Sequence, residues 1–182
     1  AALLATPDDH EPPPLVPGDA EPVRPSMLHR AAGWTVWRYD FALPADRPAG
    51  YRLGDRTYPV ATDLTGDIRI AYVSCNGQQS GDHERPLDER NAMWCRLAEA
   101  HDRAPFGLLL QGGDQLYADE VLKCHPALRR WARCRTAHKS RHDFSADARA
   151  AAERFFVERY LATYRQPGIA ELCARVPSLM MW

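Results

Sequence analysis

The sequence predicts an α/β fold in which a strand–helix–strand core follows a small β-rich segment. Two short, mostly apolar β-rich runs at 68–73 and 106–111 flank a helical stretch at about 87–102. Upstream, residues 34–43 alternate apolar and polar in the strand manner. Connections this long between the two runs suit a right-handed parallel crossover.

Taken in order, the first 26 residues hold seven of the fifteen prolines, interleaved with acidic residues. Proline removes backbone donors and resists helix, so residues 1–30 read as a flexible or extended proline-rich arm. Residues 31–64 read as a β-rich segment. Trp37, Tyr39, Phe41 and Leu43 share one strand face, and Gly54-Asp55 sits between strand-like pieces at 51–53 and 57–60. That pattern predicts a hairpin. From about residue 65 the character changes. The run Ile68, Arg69, Ile70, Ala71, Tyr72, Val73 is nearly continuous in apolar residues, which predicts a strand buried on both faces. In the helix that follows, Met93, Leu97 and Ala100 fall on one face with Trp94 and Ala98 beside them. The second strand runs through Leu108, Leu109 and Leu110 and ends abruptly at Gly112-Gly113-Asp114. Beyond an irregular basic stretch, Ser145 is placed to cap a helix reaching Gln166, with Phe156, Tyr160 and Tyr164 at helical spacing. Pro167-Gly168 stops it, a short helix fits 169–174, and an apolar run begins at Leu179.

The 182-residue chain is 45% hydrophobic and 26% charged, which is ordinary for one α/β domain or a small domain plus part of another. A net charge of -1 lacks the basic excess of a nucleic-acid-binding module. No apolar run approaches the roughly 20 residues that span a bilayer. The N-terminus shows no secretory signal, so a cytoplasmic location is expected, with export possible had a leader been removed. Five cysteines, an odd number at irregular spacing, read as free thiols of a reducing compartment.

In open α/β sheets, functional groups gather beyond the C-terminal ends of the strands. Both predicted core strands end in unusual polar sequence, SCNGQ at 74–78 and GGDQLYADE at 112–120. If the strands are parallel neighbours, Cys75 and Asp114 share one sheet edge, and Tyr117 follows three residues later. Thiolate, carboxylate and phenolate together make a donor set for a di- or trivalent metal. Taken singly, each has a plainer reading: a small buried residue, a turn residue or cap, a core aromatic. Asn76 and Asp119 sit beside these three, placed to orient them, to touch substrate or only to satisfy loop backbone.

The blocks YVSCNG at 72–77, GGDQLYADE at 112–120 and PSLMMW at 177–182 resemble, in order and approximate separation, successive blocks of the PhoD-like phosphatases (alkaline phosphatase D-like). These form a branch of the calcineurin-like metallophosphoesterase superfamily. The resemblance implies that 65–182 is the first half of a metallophosphoesterase sandwich and that 31–64 is the end of a small preceding domain. It implies a multinuclear centre of iron and calcium, other divalent metals being possible. Cys75 and Tyr117 match iron ligands, and Asp114 matches a ligand bridging iron and a second metal. The implied reaction is hydrolysis of a phosphomonoester or phosphodiester, on a phosphorylated small molecule or a phosphodiester substrate, with the metals polarising the phosphoryl group and activating water. In the family the strand matching 179–182 runs into an Asp-Asp-His block, whereas this sequence stops at Trp182. The remaining ligands and the catalytic His are therefore expected downstream, with no catalytic residue inside the chain, which is expected to be an incomplete and inactive piece.

Other readings compete. The chain read as a non-catalytic α/β interaction or regulatory domain is the alternative to the hydrolase. Residues 123–142 carry seven Lys or Arg, read as a solvated face or as a rim that attracts a phosphorylated substrate. Within them Cys124, Cys134, His138 and His142 suggest a zinc site, against which stands the nine-residue gap between the cysteines. His83 near Cys75 suggests a Cys–His nucleophile, for which no third orienting group is legible.

Overall fold

A computed structural model describes residues 1–77 and 81–181, without the side chain of His83. It is a mixed α/β structure of three small sheets and, among the described residues, five α-helices. The N-terminal part is all β. Strands β1 (Ala2–Pro7), β2 (Leu15–Pro17), β3 (Ser26–Ala31), β4 (Trp34–Tyr39), β5 (Ala49–Leu53) and β6 (Arg56–Val60) form two antiparallel sheets. One has the order β1-β4-β3 and the other β2-β5-β6. The predicted hairpin is present: Leu53 pairs with Arg56 across Gly54-Asp55, and Gly54 takes a φ of 58° that suits glycine in a two-residue turn.

The proline-rich arm expected over 1–30 is corrected here. It supplies β1, β2 and β3, and Leu15 is fully buried. The reason is positional. β1 and β2 are edge strands, where a missing backbone N–H on the outward side leaves no ladder bond unmade. Pro7 and Pro17 also sit at strand ends. Leu15, Tyr39, Tyr51 and Val60 form the core between the two sheets, with Trp37, Phe41 and Leu43 packed against them. The aromatic face read from the sequence is therefore the buried one, although β4 itself ends at Tyr39.

The second part is built on a parallel sheet. Strands β7 (Ile70–Val73), β8 (Leu108–Gly112) and β9 (Ser178–Met181) lie in the order β7-β8-β9 and run parallel. Helix α1 (Leu87–Arg103) crosses from β7 to β8. Helices α2 (Pro126–Ala132), α3 (Thr136–Lys139), α4 (Ala146–Tyr164) and α5 (Pro167–Arg175) lie between β8 and β9. The basic stretch expected to be irregular thus contains α2 and α3. Proline opens both α2 and α5, at the first turn where its missing N–H is harmless.

One face of this sheet is the main core. Ala71 and Leu109 from the strands meet Trp94 of α1 and Ile169 and Leu172 of α5, closed by Phe106 and Val176. Gly168 allows the two helices to touch, since a Cβ there would lie 2.9 Å from the backbone N of Cys95. The other face is not buried as the sequence predicts. Ile70 is 51% exposed, Tyr72 67%, Leu179 64% and Met181 67%. By register these lie on one side of the sheet, opposite Ala71 and Leu109. The apolar run was read as two-sided burial, but α1 and α5 cover only one face. Met93 is corrected for the same reason. It is 69% exposed, because Trp94 occupies the core-facing position beside it.

The β part is fastened to the α/β part through α5. The Tyr51 hydroxyl donates to the Ala174 carbonyl at 2.7 Å, and Arg56 pairs with Glu171 at 3.4 Å. Burial pushes the Tyr51 phenol up to about 12, so the hydroxyl remains a donor at physiological pH.

Candidate metal centre

The two polar loops meet because β7 and β8 are adjacent and parallel. Val73 pairs with Gln111, which brings Cys75 and Asp114 to the same edge of the sheet. Beyond the strands the chains stay joined: the Cys75 N–H donates to Gly113 O at 3.0 Å and the Asn76 N–H to Asp114 O at 2.9 Å. These two bonds turn both loops sharply. Cys75 has a φ of 58° and Asp114 a φ of 53°, left-handed values that L residues other than Asn and Asp seldom adopt. Backbone strain of this kind collects at functional sites and persists only where surrounding structure imposes it.

The result is a close pair of donors. Cys75 Sγ lies 3.6 Å from Asp114 Oδ2, and both residues are exposed. Ser74 Oγ lies 3.4 Å from the same sulfur. A metal–sulfur bond of about 2.3 Å and a metal–oxygen bond of about 2.1 Å at a tetrahedral angle separate their donor atoms by about 3.6 Å. The pair therefore fits a shared cation as it stands. It equally fits a thiol donating to a carboxylate, which is the contact observed. Tyr117 is half-buried on the same loop, between Asp114 and the short 3-10 helix Asp119–Lys123. Among the described residues no group of three or more His, Cys, Asp or Glu side chains is gathered for a metal.

Asn76 is a loop-fastening residue. Its Nδ2 donates to Gln115 O at 3.3 Å, and its Oδ1 accepts from Trp94 Nε1 at 2.6 Å. Helix α1 thereby holds the Cys75 loop, and the Cys75 loop holds the Asp114 loop. Gln115 is buried beneath them and donates to Gly113 O at 2.5 Å. Sequence reasoning missed the roles of Ser74, Trp94 and Gln115. The polar runs SCNG and GGDQ were the available signal for Ser74 and Gln115, whereas Trp94 gave none beyond its place in a helix. Asp119 is exposed at the start of the 3-10 helix.

The competing zinc site does not assemble among the described residues. The zinc ligands Cys124, Cys134, His138 and His142 are among the residues that form no metal-binding group. Cys134 Sγ instead contacts Arg130 O at 3.4 Å, and the His142 ring packs edge-on against Phe144. The nucleophile reading of His83 and the predicted positions of Gln78 and Trp182 lie outside the described residues. All five cysteines are free thiols, and burial pushes Cys173 up to about 11, which leaves it a packing group. No helix is long and apolar enough to cross a membrane, among the described residues.

Comparison with protein-family models, curated proteins and solved structures gives no match to this chain.

Proposed function

We propose that the protein is a metal-dependent phosphoesterase of the PhoD-like kind, in which Cys75, Asp114 and Tyr117 are metal ligands at one edge of a metallophosphoesterase sandwich. The observation that carries this reading is the 3.6 Å approach of Cys75 Sγ to Asp114 Oδ2, on two loops held in left-handed backbone geometry. The sequence blocks around them supply the family and the preference for iron and calcium. When bound, such metals supply Lewis-acid polarisation of a phosphoryl group and acidify water. The chain's own residues orient donors: Asn76, Gln115 and Trp94 fix the two loops, so little ordering cost falls on metal binding. Three donors do not complete a multinuclear centre. In this proposal the 182-residue chain alone therefore binds metal weakly and hydrolyses aryl phosphates poorly.

The test is titration with cobalt(II), a spectroscopic probe for sulfur ligation. A thiolate-to-cobalt charge-transfer band should grow saturably, vanish in Cys75→Ser, and weaken in Asp114→Asn and Tyr117→Phe. A titration without that band, or with the same band in Cys75→Ser, removes the metal centre. An interaction domain is the second reading, favoured by the apolar sheet face of Ile70, Tyr72, Leu179 and Met181. It predicts no thiolate band in the same titration.

A further inference from the structure

The longest stretch of the chain without an acidic residue begins four residues after Tyr117. Residues 121–142 carry seven of the chain's 23 Lys and Arg, three of its seven His, and none of its 24 Asp and Glu. Lys123, Arg129, Arg130, Arg133, Arg135 and Arg141 are exposed, and Lys139 is half-buried over the Trp131 ring. Among the described residues none of the seven forms an ion pair with an acid. Elsewhere Arg38, Arg47, Arg56 and Arg175 each hold a carboxylate.

The segment follows the candidate site directly in the chain, and its first part is fastened to α4. The 3-10 helix Asp119–Lys123 starts two residues after Tyr117, and its Glu120 pairs with Arg159 of α4 at 3.1 Å in a mostly buried bridge. Arg129 donates to Lys123 O through both Nε and Nη2, locking α2 onto that helix. His125 caps α2 through the Ala127 N–H and reaches Asp147 of α4 with its other nitrogen. These contacts hold the start of the cationic segment, through α2, against α4. The seven residues of α2 alone extend roughly 10 Å, which is longer than one phosphate group. Arg130 near the end of α2, with Arg133, Arg135 and Arg141 beyond it, offers several exposed cations to the anionic groups of one ligand.

We propose that the acid-free surface of residues 121–142 docks a polyphosphorylated anion and presents one of its phosphate groups to the Cys75–Asp114 edge. This names the substrate class of the proposed hydrolase and rests on that reading. A single phosphomonoester uses only part of the surface, so multiply charged esters gain most. The attraction is electrostatic, and screening shortens it to about 10 Å at 0.1 M salt.

The test uses inorganic tripolyphosphate as probe, with calorimetric titration of the full chain at about 0.05 and 0.2 M salt. The variant Arg130→Glu/Arg133→Glu/Arg135→Glu should lose about tenfold or more in affinity. The control Arg24→Glu/Arg103→Glu/Arg154→Glu changes net charge equally at exposed positions elsewhere and should lose far less. Single phosphate should bind more weakly than tripolyphosphate to the parent chain. Equal losses in the two triple variants, or no saturable binding by the parent, overturn the proposal. Cobalt(II) titration of the same proteins separates it from the hydrolase reading. Tripolyphosphate binding without a thiolate–cobalt band sinks the hydrolase and leaves the anion surface standing, and the reverse pattern sinks the surface alone.

Discussion

Replacing Cys75 by glycine separates what the backbone of that position does from what its sulfur does. The parent residue holds a φ of 58°, a conformation that costs an L residue roughly 1–2 kcal/mol and glycine almost nothing. Glycine adds back roughly 0.5–1 kcal/mol through the greater freedom of its unfolded chain. The side chain itself is exposed, and its contacts to Ser74 Oγ at 3.4 Å and Asp114 Oδ2 at 3.6 Å are long, so little packing is lost. Cys75→Gly is expected to stabilise the protein by about 0.5–1 kcal/mol, a rise in Tm of about 1–3 °C for a chain of this size. Cys75→Ala keeps the strain and is expected within about 0.5 kcal/mol of the parent. Urea denaturation of the three proteins reads the stability, and cobalt(II) titration reads the sulfur, which both variants lack. A position that stabilises the fold when its side chain is deleted is one kept for chemistry. Cys75→Gly falling below the parent by more than about 1 kcal/mol, or matching Cys75→Ala, would refute the reasoning.

Trp94→Phe retains a buried ring and removes the 2.6 Å bond to Asn76 Oδ1; it should cost about 1–2 kcal/mol and speed amide exchange at residues 74–77, and unchanged exchange there would sink the fastening role of α1. Gly168→Ala puts a Cβ 2.9 Å from Trp94 C and Cys95 N, backbone atoms of α1 that cannot swing aside, so α5 must shift at a cost of about 1–3 kcal/mol in the urea midpoint, and a neutral result would contradict that close approach. His101 is buried and accepts from the Phe106 N–H at 3.0 Å through Nδ1, and burial first, then Arg175, holds its pKa below the usual imidazole value. Its unfolded form therefore binds the proton more readily: stability is full above about pH 6.5 and declines as pH falls from there toward the depressed value. His101→Asn, which keeps an acceptor in place of Nδ1, should flatten that decline in urea midpoints, and an unchanged slope would assign it to other groups.

Much of the chain is legible locally. Periodicity at 87–102 and the start and stop signals at Ser145 and Pro167 place α1, α4 and α5 within a few residues of their observed ends, although the Ser145 side chain makes no capping bond, because helices are held by neighbours in sequence. The hairpin across Gly54-Asp55 is equally local. The early prolines misled because their effect depends on the hydrogen-bond side they occupy, and β1 and β2 become edge strands only once β4 and β5 pair with them. Met93 misled because a helical face of about 100° admits either Met93 or its neighbour Trp94, and the position of α5 selects the tryptophan.

By itself the sequence determined the types of α1, α4, α5, β7 and β8 and the hairpin of β5 and β6, the residues at the ends of β7 and β8, and the acid-free cationic stretch at 121–142, since each depends on composition or short-range spacing. Tertiary structure alone decided that Cys75 and Asp114 face one another at 3.6 Å, since that requires two strands separated by a helix to lie parallel in one register. It alone decided their left-handed backbones, which no local preference of Cys favours and which the bonds from Cys75 N and Asn76 N to the opposite loop impose. And it alone decided which side of the sheet is covered, because alternation along a strand marks two faces without naming the one that helices will bury.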